Sequence, residues 1–145
     1  MDLDKLQASL IAHEGLRLKV YFDSVGKATI GVGRNISDVG ISEPEALVLL
    51  GNDIQSCLAQ AQGEPWWPVV ADDDVRSRAM VEILFNLGLA GLRGFPVALA
   101  ALEQRDFAGA AAGFRDSIWY NQVGSQPGQR GYVLAQMIET GLDSQ

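Results

Sequence analysis

Residues 14–34 read EGLRLKVYFDSVGKATIGVGR, and this stretch decides the fold of the N-terminal part of the chain. Apolar residues alternate with other residues both before and after Gly26. This period of two predicts two antiparallel strands that share one buried face. The side chains expected on that face are Leu16, Leu18, Val20, Phe22, Ala28, Ile30 and Val32.

The same alternation predicts an open face opposite the buried one. Asp23 and Thr29 are expected on this open face together with Gly31 and Gly33. Glu14 precedes the first strand and is expected at the rim of the face. The stretch therefore brings two carboxylates, a hydroxyl and flexible backbone together.

Helix signals flank the hairpin on both sides. Asp2 is a suitable N-cap for a first helix, and Gly15 is placed to end that helix just after Glu14. The negative end of the helix dipole disfavours an ionised carboxylate there, which suits a proton donor. Residues 42–45, SEPE, form a capping box that opens a long apolar-striped helix of about twenty residues, about 30 Å long, ending near Gly63.

The remaining sequence is typical of short helices. PWWP at residues 65–68 predicts a break, and the acidic residues 72–74 cap a helix that Gly88 is expected to end. Three further helices are expected to start near Pro96, Asp106 and Pro127. The predicted class is α+β and mostly helical.

Composition limits the function. At 145 residues and 48% hydrophobic content, the chain fits one domain, or two small lobes that share a core, and folds without disulfides. Its single cysteine, Cys57, excludes an internal disulfide framework and is expected to be a buried, inert thiol. A formal net charge of -7 argues against nucleic-acid binding, which relies on clustered Lys and Arg.

Targeting and cofactor signals are not found in the sequence. The first ten residues, MDLDKLQASL, are acidic and contain no long apolar stretch, so we expect neither a secretory signal nor membrane insertion. Any export would depend on another protein. One His and one Cys make no metal ligand set, and no Gly-rich phosphate loop precedes a helix, so no cofactor is expected.

The two carboxylates are candidates for acid–base chemistry. Glycoside hydrolysis needs one carboxyl group to protonate the leaving oxygen and a second to activate water or attack directly. Glu14 and Asp23 are candidates for these two groups, and Thr29 for holding a water between them. On spacing alone the alternative is a pair of solvated surface acids, with Thr29 present for its β-propensity.

The segment EGLRLKVYFDSVGKATIGVGRN resembles the catalytic segment of the phage-type lysozymes, glycoside hydrolase family 24. In that family a Glu precedes Gly-Leu-Arg-Leu, an Asp lies nine residues after the Glu, and a Thr lies six residues after the Asp and precedes Ile-Gly-x-Gly. Glu14, Asp23 and Thr29 match these positions. The similarity continues through the long helix and through ILFNLG at 83–88, GF at 94–95 and WYNQ at 119–122.

The resemblance implies a lysozyme-like fold in a single domain, residues 1–145. A small lobe would comprise about residues 14–45, and a long helix would connect it to a helical lobe of about residues 60–145 plus the N-terminal helix. The cleft between the lobes would hold the substrate.

The resemblance also implies a muramidase that cuts the β-1,4 bond between N-acetylmuramic acid and N-acetylglucosamine in peptidoglycan. Glu14 would be the general acid, Asp23 the second carboxylate, and Thr29 the residue that places the attacking water. We favour inversion of the anomeric centre, because a water held by Thr29 needs the wider carboxyl separation. A nucleophilic Asp23 is the alternative.

Further substrate-binding residues follow from the resemblance. They are Gly31, Gly33, Phe85, Asn86, Gln122 and Arg130. Cleft-lining roles carry over less firmly than the catalytic ones to Phe85, Asn86, Tyr120, Asn121 and Gln122. Phe85 and Asn86 match an aromatic–amide pair that faces the sugar in the family. The alternative for the aromatic residues is a purely structural role in the core.

Two arginines carry separate expectations. The resemblance implies that Arg130 lies opposite Glu14, because family members have arginines on the helix after WYNQ, and its charge would act against the helix dipole there. The alternative is a solvated side chain. Arg34 stands where the best-known family member has a His, so a permanent charge replaces a titratable one. The pH response at that position should therefore differ.

The biological setting implied is that of a phage or prophage endolysin. We expect a monomer that accumulates in the host bacterial cytoplasm and reaches peptidoglycan after another protein opens the membrane. The alternative is a wall-binding or structural module that keeps the lysozyme fold and cuts poorly. The intact trio of Glu14, Asp23 and Thr29 favours the enzyme.

Overall fold

The first part of the chain forms one helix and a small antiparallel sheet. The computed structural model describes residues 1–143, and in it helix α1 spans Leu3–Glu14, β1 Arg17–Phe22, β2 Ala28–Gly31 and β3 Arg34–Asn35. The strands are ordered β1-β2-β3, so the predicted hairpin is confirmed and a third strand extends it. Asp2 caps α1 by accepting the Lys5 N–H at 3.0 Å, and Gly15 ends the helix as predicted.

Strand β1 is irregular, and the prediction that its apolar face is buried is wrong. Arg17 pairs with Gly31 and Tyr21 with Thr29, so β1 carries extra residues between the two pairs. Two extra residues leave the alternation of faces unchanged, since Arg17 and Tyr21 oppose Gly31 and Thr29 on one face of β2. The opposite face is nevertheless not buried, because Leu16, Leu18, Val20 and Phe22 are 58%, 83%, 51% and 74% exposed.

Helix α2, Glu43–Gln62, begins at the predicted capping box. The Ser42 hydroxyl accepts the Glu45 N–H at 3.3 Å, and the Glu45 carboxylate accepts the Ser42 N–H at 2.7 Å. Both hydrogen bonds satisfy donors that a helix start leaves unpaired. Cys57, predicted to be buried, is half-buried, and this burial raises the pKa of its thiol.

The rest of the chain is helical. The helices are α3 Trp67–Val70, α4 Asp74–Arg93, α5 Pro96–Glu103, α6 Phe107–Arg115, α7 Ile118–Val123 and α8 Arg130–Thr140. Gly88 is non-helical, with φ 69° and ψ 167°, so the helix that begins at Asp74 ends there as predicted, and a second helix follows directly as far as Arg93. The helices expected near Pro96 and Asp106 are confirmed, whereas the last one starts at Arg130, not near Pro127. Helices α3 and α7 were not predicted.

The chain divides into two compact units, Met1–Leu49 and Leu50–Gln145. Helix α1 belongs to the first unit, whereas the sequence prediction grouped it with the helical lobe. The core of the second unit is formed by buried side chains of helices α2 to α8 and of the loop before α3, including Trp66, Met80, Ile83, Phe114, Leu134 and Ile138. Within residues 1–143 no single helix is long and apolar enough to span a membrane; only α4 and α5 together meet that test, and they are bent by 106°.

Arg76 joins three helices of the second unit. Its guanidinium donates to the carbonyl oxygens of Ile138 at 2.8 Å and Glu139 at 3.2 Å, near the end of α8. It also pairs with Asp73, the N-cap of α4, and lies 3.7 Å from the centroid of the Phe107 ring on α6. Burial opposes ionisation of Asp73, but the hydrogen bonds from Arg76 outweigh it and lower the pKa of that carboxyl.

Candidate active site

Asp23 lies in the turn between β1 and β2, and that turn orients its carboxylate. Its Oδ1 accepts the N–H of Val25 at 2.9 Å and the N–H of Lys27 at 2.8 Å. Asp is favoured at such a position because its side chain bonds backbone two residues further on. Among residues 1–143, Oδ2 has no hydrogen-bond partner, so it is the oxygen that can meet a ligand or a water.

Thr29 lies in the central strand β2 and is 4% exposed. Its hydroxyl donates to the carbonyl oxygen of Lys27 at 3.0 Å. The prediction that Thr29 lies open on the sheet is therefore wrong in its degree of exposure. Because the one hydroxyl hydrogen is committed, Oγ1 is left with lone pairs that accept a hydrogen bond.

The peptide groups of Lys27 connect Asp23 to Thr29. The Lys27 carbonyl accepts both the Thr29 hydroxyl and the Asp23 N–H, each at 3.0 Å, while the Lys27 N–H donates to the Asp23 carboxylate. These hydrogen bonds fix the two predicted catalytic side chains through one residue. Sequence reasoning did not identify this role of Lys27, although Asp23 followed by Gly26 is a recognisable turn signal.

Glu14 is the last residue of α1 and is exposed. Its carboxylate lies beside Gly33 in the turn between β2 and β3, where an added Cβ would be 3.4 Å from Glu14 Oε2. Gly33 has φ +72°, a conformation that residues with a side chain rarely adopt. A Cβ at Gly31 would meet no atom within 4 Å, so the backbone there is open to a ligand.

The three predicted catalytic residues all lie in the unit Met1–Leu49. Glu14 lies against the second turn of the sheet, Asp23 in the first turn, and Thr29 on the strand that joins the turns. Two side chains flank Thr29 across the sheet, because Tyr21 pairs with it on β1 and Asn35 on β3. Neither flanking residue was predicted to belong to the site.

The predicted substrate residues in the unit Leu50–Gln145 have mixed environments. Phe85 is 43% exposed and lines a cavity of about 480 Å³ together with Arg130 and residues of α2 and α4. The amide oxygen of Asn86 accepts the indole N–H of Trp119 at 2.8 Å, so this side chain also supports the fold. Gln122 is exposed, whereas Tyr120 is only 9% exposed.

Arg130 has a carboxylate partner within its own unit. Its Nε donates to Oε1 of Glu82 on α4 at 3.0 Å. The pairing of Arg130 with Glu14 stays a prediction. Two other arginines of this unit form ion pairs of 2.6 Å, Arg115 with Glu139 and Arg93 with the buried carboxylate of Glu64.

Arg34 follows Gly33 and binds the start of α2. Its guanidinium contacts both carboxylate oxygens of Glu45, at 2.8 and 3.3 Å, and the carbonyl of Gly40. The hydrogen bonds from Ser42, aided by Arg34, lower the pKa of Glu45. In the described part of the chain, no group of three or more His, Cys, Asp or Glu residues is placed to hold a metal ion.

Comparisons with known proteins agree with one another. The family model described as phage lysozyme matches residues 11–133. The pre-baseplate central spike protein Gp5 of Enterobacteria phage T4 is 30% identical over 139 residues, which cover 76% of this chain and 24% of that protein. Probable T4-type lysozyme 1 of Dictyostelium discoideum is 23% identical over 156 residues, covering 88% of this chain and 89% of that protein. The chain thus spans about a quarter of the first relative and most of the second.

Proposed function

The chain belongs to the phage lysozyme family, and from this premise we propose that it is a muramidase acting on bacterial peptidoglycan. The bond cleaved is the β-1,4 bond between N-acetylmuramic acid and N-acetylglucosamine. The mostly helical fold with its small three-stranded sheet is consistent with the lysozyme-like fold. The observation that carries the proposal is the Lys27 backbone, which binds Asp23 and Thr29 in fixed relation to each other.

Glu14 is proposed as the general acid. In its protonated form it donates its proton to the glycosidic oxygen as the bond from that oxygen to the anomeric carbon breaks. Its position at the end of α1 supports this role, since it places the carboxyl group beside Gly33 at the turn between β2 and β3. Gly33 keeps the space beside the carboxyl group free of a side chain.

Asp23 and Thr29 are proposed to hold the attacking water. The water donates one hydrogen bond to Thr29 Oγ1, which can only accept, and gives its other proton to Asp23 Oδ2. Its oxygen forms the new bond to the anomeric carbon on the face opposite the leaving group. The products are two shorter glycan chains, and the anomeric centre is inverted.

The products test this reaction. Peptidoglycan digested with the protein should release fragments that end in a reducing muramic acid, and NMR at the first turnover should detect the inverted anomer. Retention would assign Asp23 as the nucleophile and would remove the water-holding role of Thr29. Anhydro-muramic products, which are lighter by one water in mass spectrometry, would show that the protein is a transglycosylase and not a hydrolase.

A second candidate function is a wall-binding module with weak or no activity, as part of a larger assembly. One observation favours it: the chain matches 24% of a protein named as a central spike protein. Co-sedimentation with insoluble peptidoglycan without release of soluble fragments would support this candidate. Release of reducing ends at catalytic amounts of protein would exclude it as the main function.

The cellular role proposed is host lysis by an endolysin. The protein would collect in the cytoplasm of the host bacterium and reach the wall after another protein opens the membrane. Bacteria that express it should therefore lyse when the membrane is permeabilised and stay intact before. Lysis on expression alone would contradict the need for such a partner.

A further inference from the structure

Arg17 and Tyr21 lie on the same side of the sheet as the proposed water-holding residue. Arg17 pairs directly with Gly31, and Tyr21 directly with Thr29, and residues directly opposite each other on neighbouring strands share a face. The extra residues of β1 between the two pairs bring the guanidinium back over the aromatic ring. The Arg17 guanidinium carbon is 4.3 Å from the Tyr21 ring centroid.

The guanidinium of Arg17 has no carboxylate partner in residues 1–143. Six of the arginines form ion pairs there, namely Arg34, Arg76, Arg78, Arg93, Arg115 and Arg130. Arg17 and Arg105 form none within the same range. In a chain with a net charge of -7, an arginine that contacts an aromatic ring and no acid is available to an external anion.

The backbone beside Arg17 is accessible as well. At its pairing partner Gly31, an added Cβ would meet no atom within 4 Å. A glycan chain can therefore approach the sheet at this point, with the Arg17 side chain next to it. Contact with Tyr21 limits the conformations of the guanidinium and so reduces the entropy lost when it binds a planar carboxylate.

We propose that Arg17, held over Tyr21, is a subsite for a carboxylate of the peptide stem attached to muramic acid. The inference rests on the proposed function and adds a specificity to it, because a bare N-acetylglucosamine chain carries no carboxylate. The guanidinium binds by charge-assisted hydrogen bonds, and no covalent bond changes. The protein should consequently prefer peptide-bearing strands to bare glycan.

The first test compares kcat/KM for soluble peptide-bearing strands with kcat/KM for N-acetylglucosamine oligomers. Arg17→Gln should lower this ratio about three- to fivefold, mainly through KM, as expected for an exposed ion pair. Added salt should lower the wild-type ratio in the same direction. Arg105→Gln, which removes the same charge from the other unit, is the matched control and should keep the wild-type ratio.

The second test measures binding without catalysis. Muramyl dipeptide and its amide, in which the carboxylate is neutralised, are titrated by NMR into the wild-type protein and Arg17→Gln. The wild type should bind the acid several-fold more tightly than the amide, and Arg17→Gln should bind the two equally. Arg17→Lys keeps the charge without the planar fork and should be intermediate.

The outcomes separate the two proposals. The carboxylate subsite would be overturned if Arg17→Gln and Arg105→Gln had the same ratio of kcat/KM for the two substrates, or if the wild type bound acid and amide alike. Either result would leave the muramidase proposal standing. A wild type that cleaves neither substrate would overturn the muramidase proposal, and the titration would still decide the subsite. Equal unfolding midpoints for Arg17→Gln and the wild type would confirm that the variant is folded.

Discussion

At the scale of single residues, the candidate site depends on the backbone of Lys27, whose role sequence reasoning did not identify. Glu14, Asp23 and Thr29 are candidates because they match the catalytic motif of the family that the segment resembles, and their roles stay a prediction. The role of Lys27 could not be predicted, because it contributes its N–H and carbonyl, which every residue but proline possesses. Its side chain is used elsewhere, in an ion pair of 2.9 Å with Asp38.

The Thr29 hydroxyl allows a prediction about catalysis. Thr29→Val keeps the shape of the side chain but removes the acceptor for the water, so kcat should fall about 100-fold with a small change in KM. Thr29→Ser keeps the oxygen and should stay within about tenfold of the wild type. Initial rates on soluble peptidoglycan strands measure both variants.

The same pair of variants contains its own control. The Lys27 carbonyl keeps the hydrogen bond from the Asp23 N–H in both variants, so the turn should stay intact. Thr29→Val should destabilise the protein by about 1 kcal/mol, the usual value for one lost hydrogen bond. A Val variant that turns over at the wild-type rate would remove Thr29 from the mechanism.

At the scale of elements, local signals were predictive and pairing-dependent features were not. Helix α1 and the start of α2 were predicted because Asp2 and Ser42 cap them with their own side chains. The start of α7 has a cap of the same kind, since the Ser117 hydroxyl accepts the Tyr120 N–H, and the sequence prediction overlooked it. The bulge in β1 is set by pairing with β2, so the residues of β1 alone do not encode it.

The start of α2 allows a prediction about pH. Hydrogen bonds from Ser42, with Arg34, lower the pKa of Glu45 in the folded protein. A lowered pKa stabilises the fold above the unfolded pKa, and this contribution is lost as the pH falls through the folded value. The Tm advantage of the wild type over Glu45→Gln should therefore be full at neutral pH and shrink between about pH 5 and pH 3.

A second acid in the same helical turn provides the control for Glu45. Glu43→Gln removes the same charge from the first turn of α2, but Glu43 makes no side-chain hydrogen bond within residues 1–143. At neutral pH, the Tm of Glu43→Gln should differ from that of the wild type by less than the Tm of Glu45→Gln does. Identical Tm profiles for the two variants would show that the capping box and Arg34 add nothing specific.

Arg76 allows a prediction about the helical unit. Arg76→Gln leaves carbonyl groups near the end of α8 and the Asp73 carboxylate without their donor, so unfolding should cost about 2–3 kcal/mol less. Arg78→Gln on the same helix removes an exposed charge and should lower the free energy of unfolding by less than about 1 kcal/mol. Denaturant titration followed by tryptophan fluorescence reports on this unit, because all three tryptophans lie in it. Equal losses for the two variants would contradict the role of Arg76.

At the scale of the whole molecule, the fold class and the family were predictable from the sequence. The division of the chain into two compact units was less predictable. The α+β, mostly helical class is confirmed, and the family match covers residues 11–133. The predicted helical lobe included α1, which instead belongs to the unit Met1–Leu49. Assignment of a terminal helix depends on long-range packing, which periodicity in the sequence does not encode.

The central claim is that Glu14 acts as the general acid of a peptidoglycan muramidase. The most direct measurement is clearing of a purified peptidoglycan suspension, with reducing ends counted, by the wild type and by Glu14→Gln over a broad pH range. The account predicts rapid clearing by the wild type and a rate at least about a thousandfold lower for Glu14→Gln, since the amide cannot donate the proton. Equal clearing by both proteins, or clearing by neither at any pH, would contradict it.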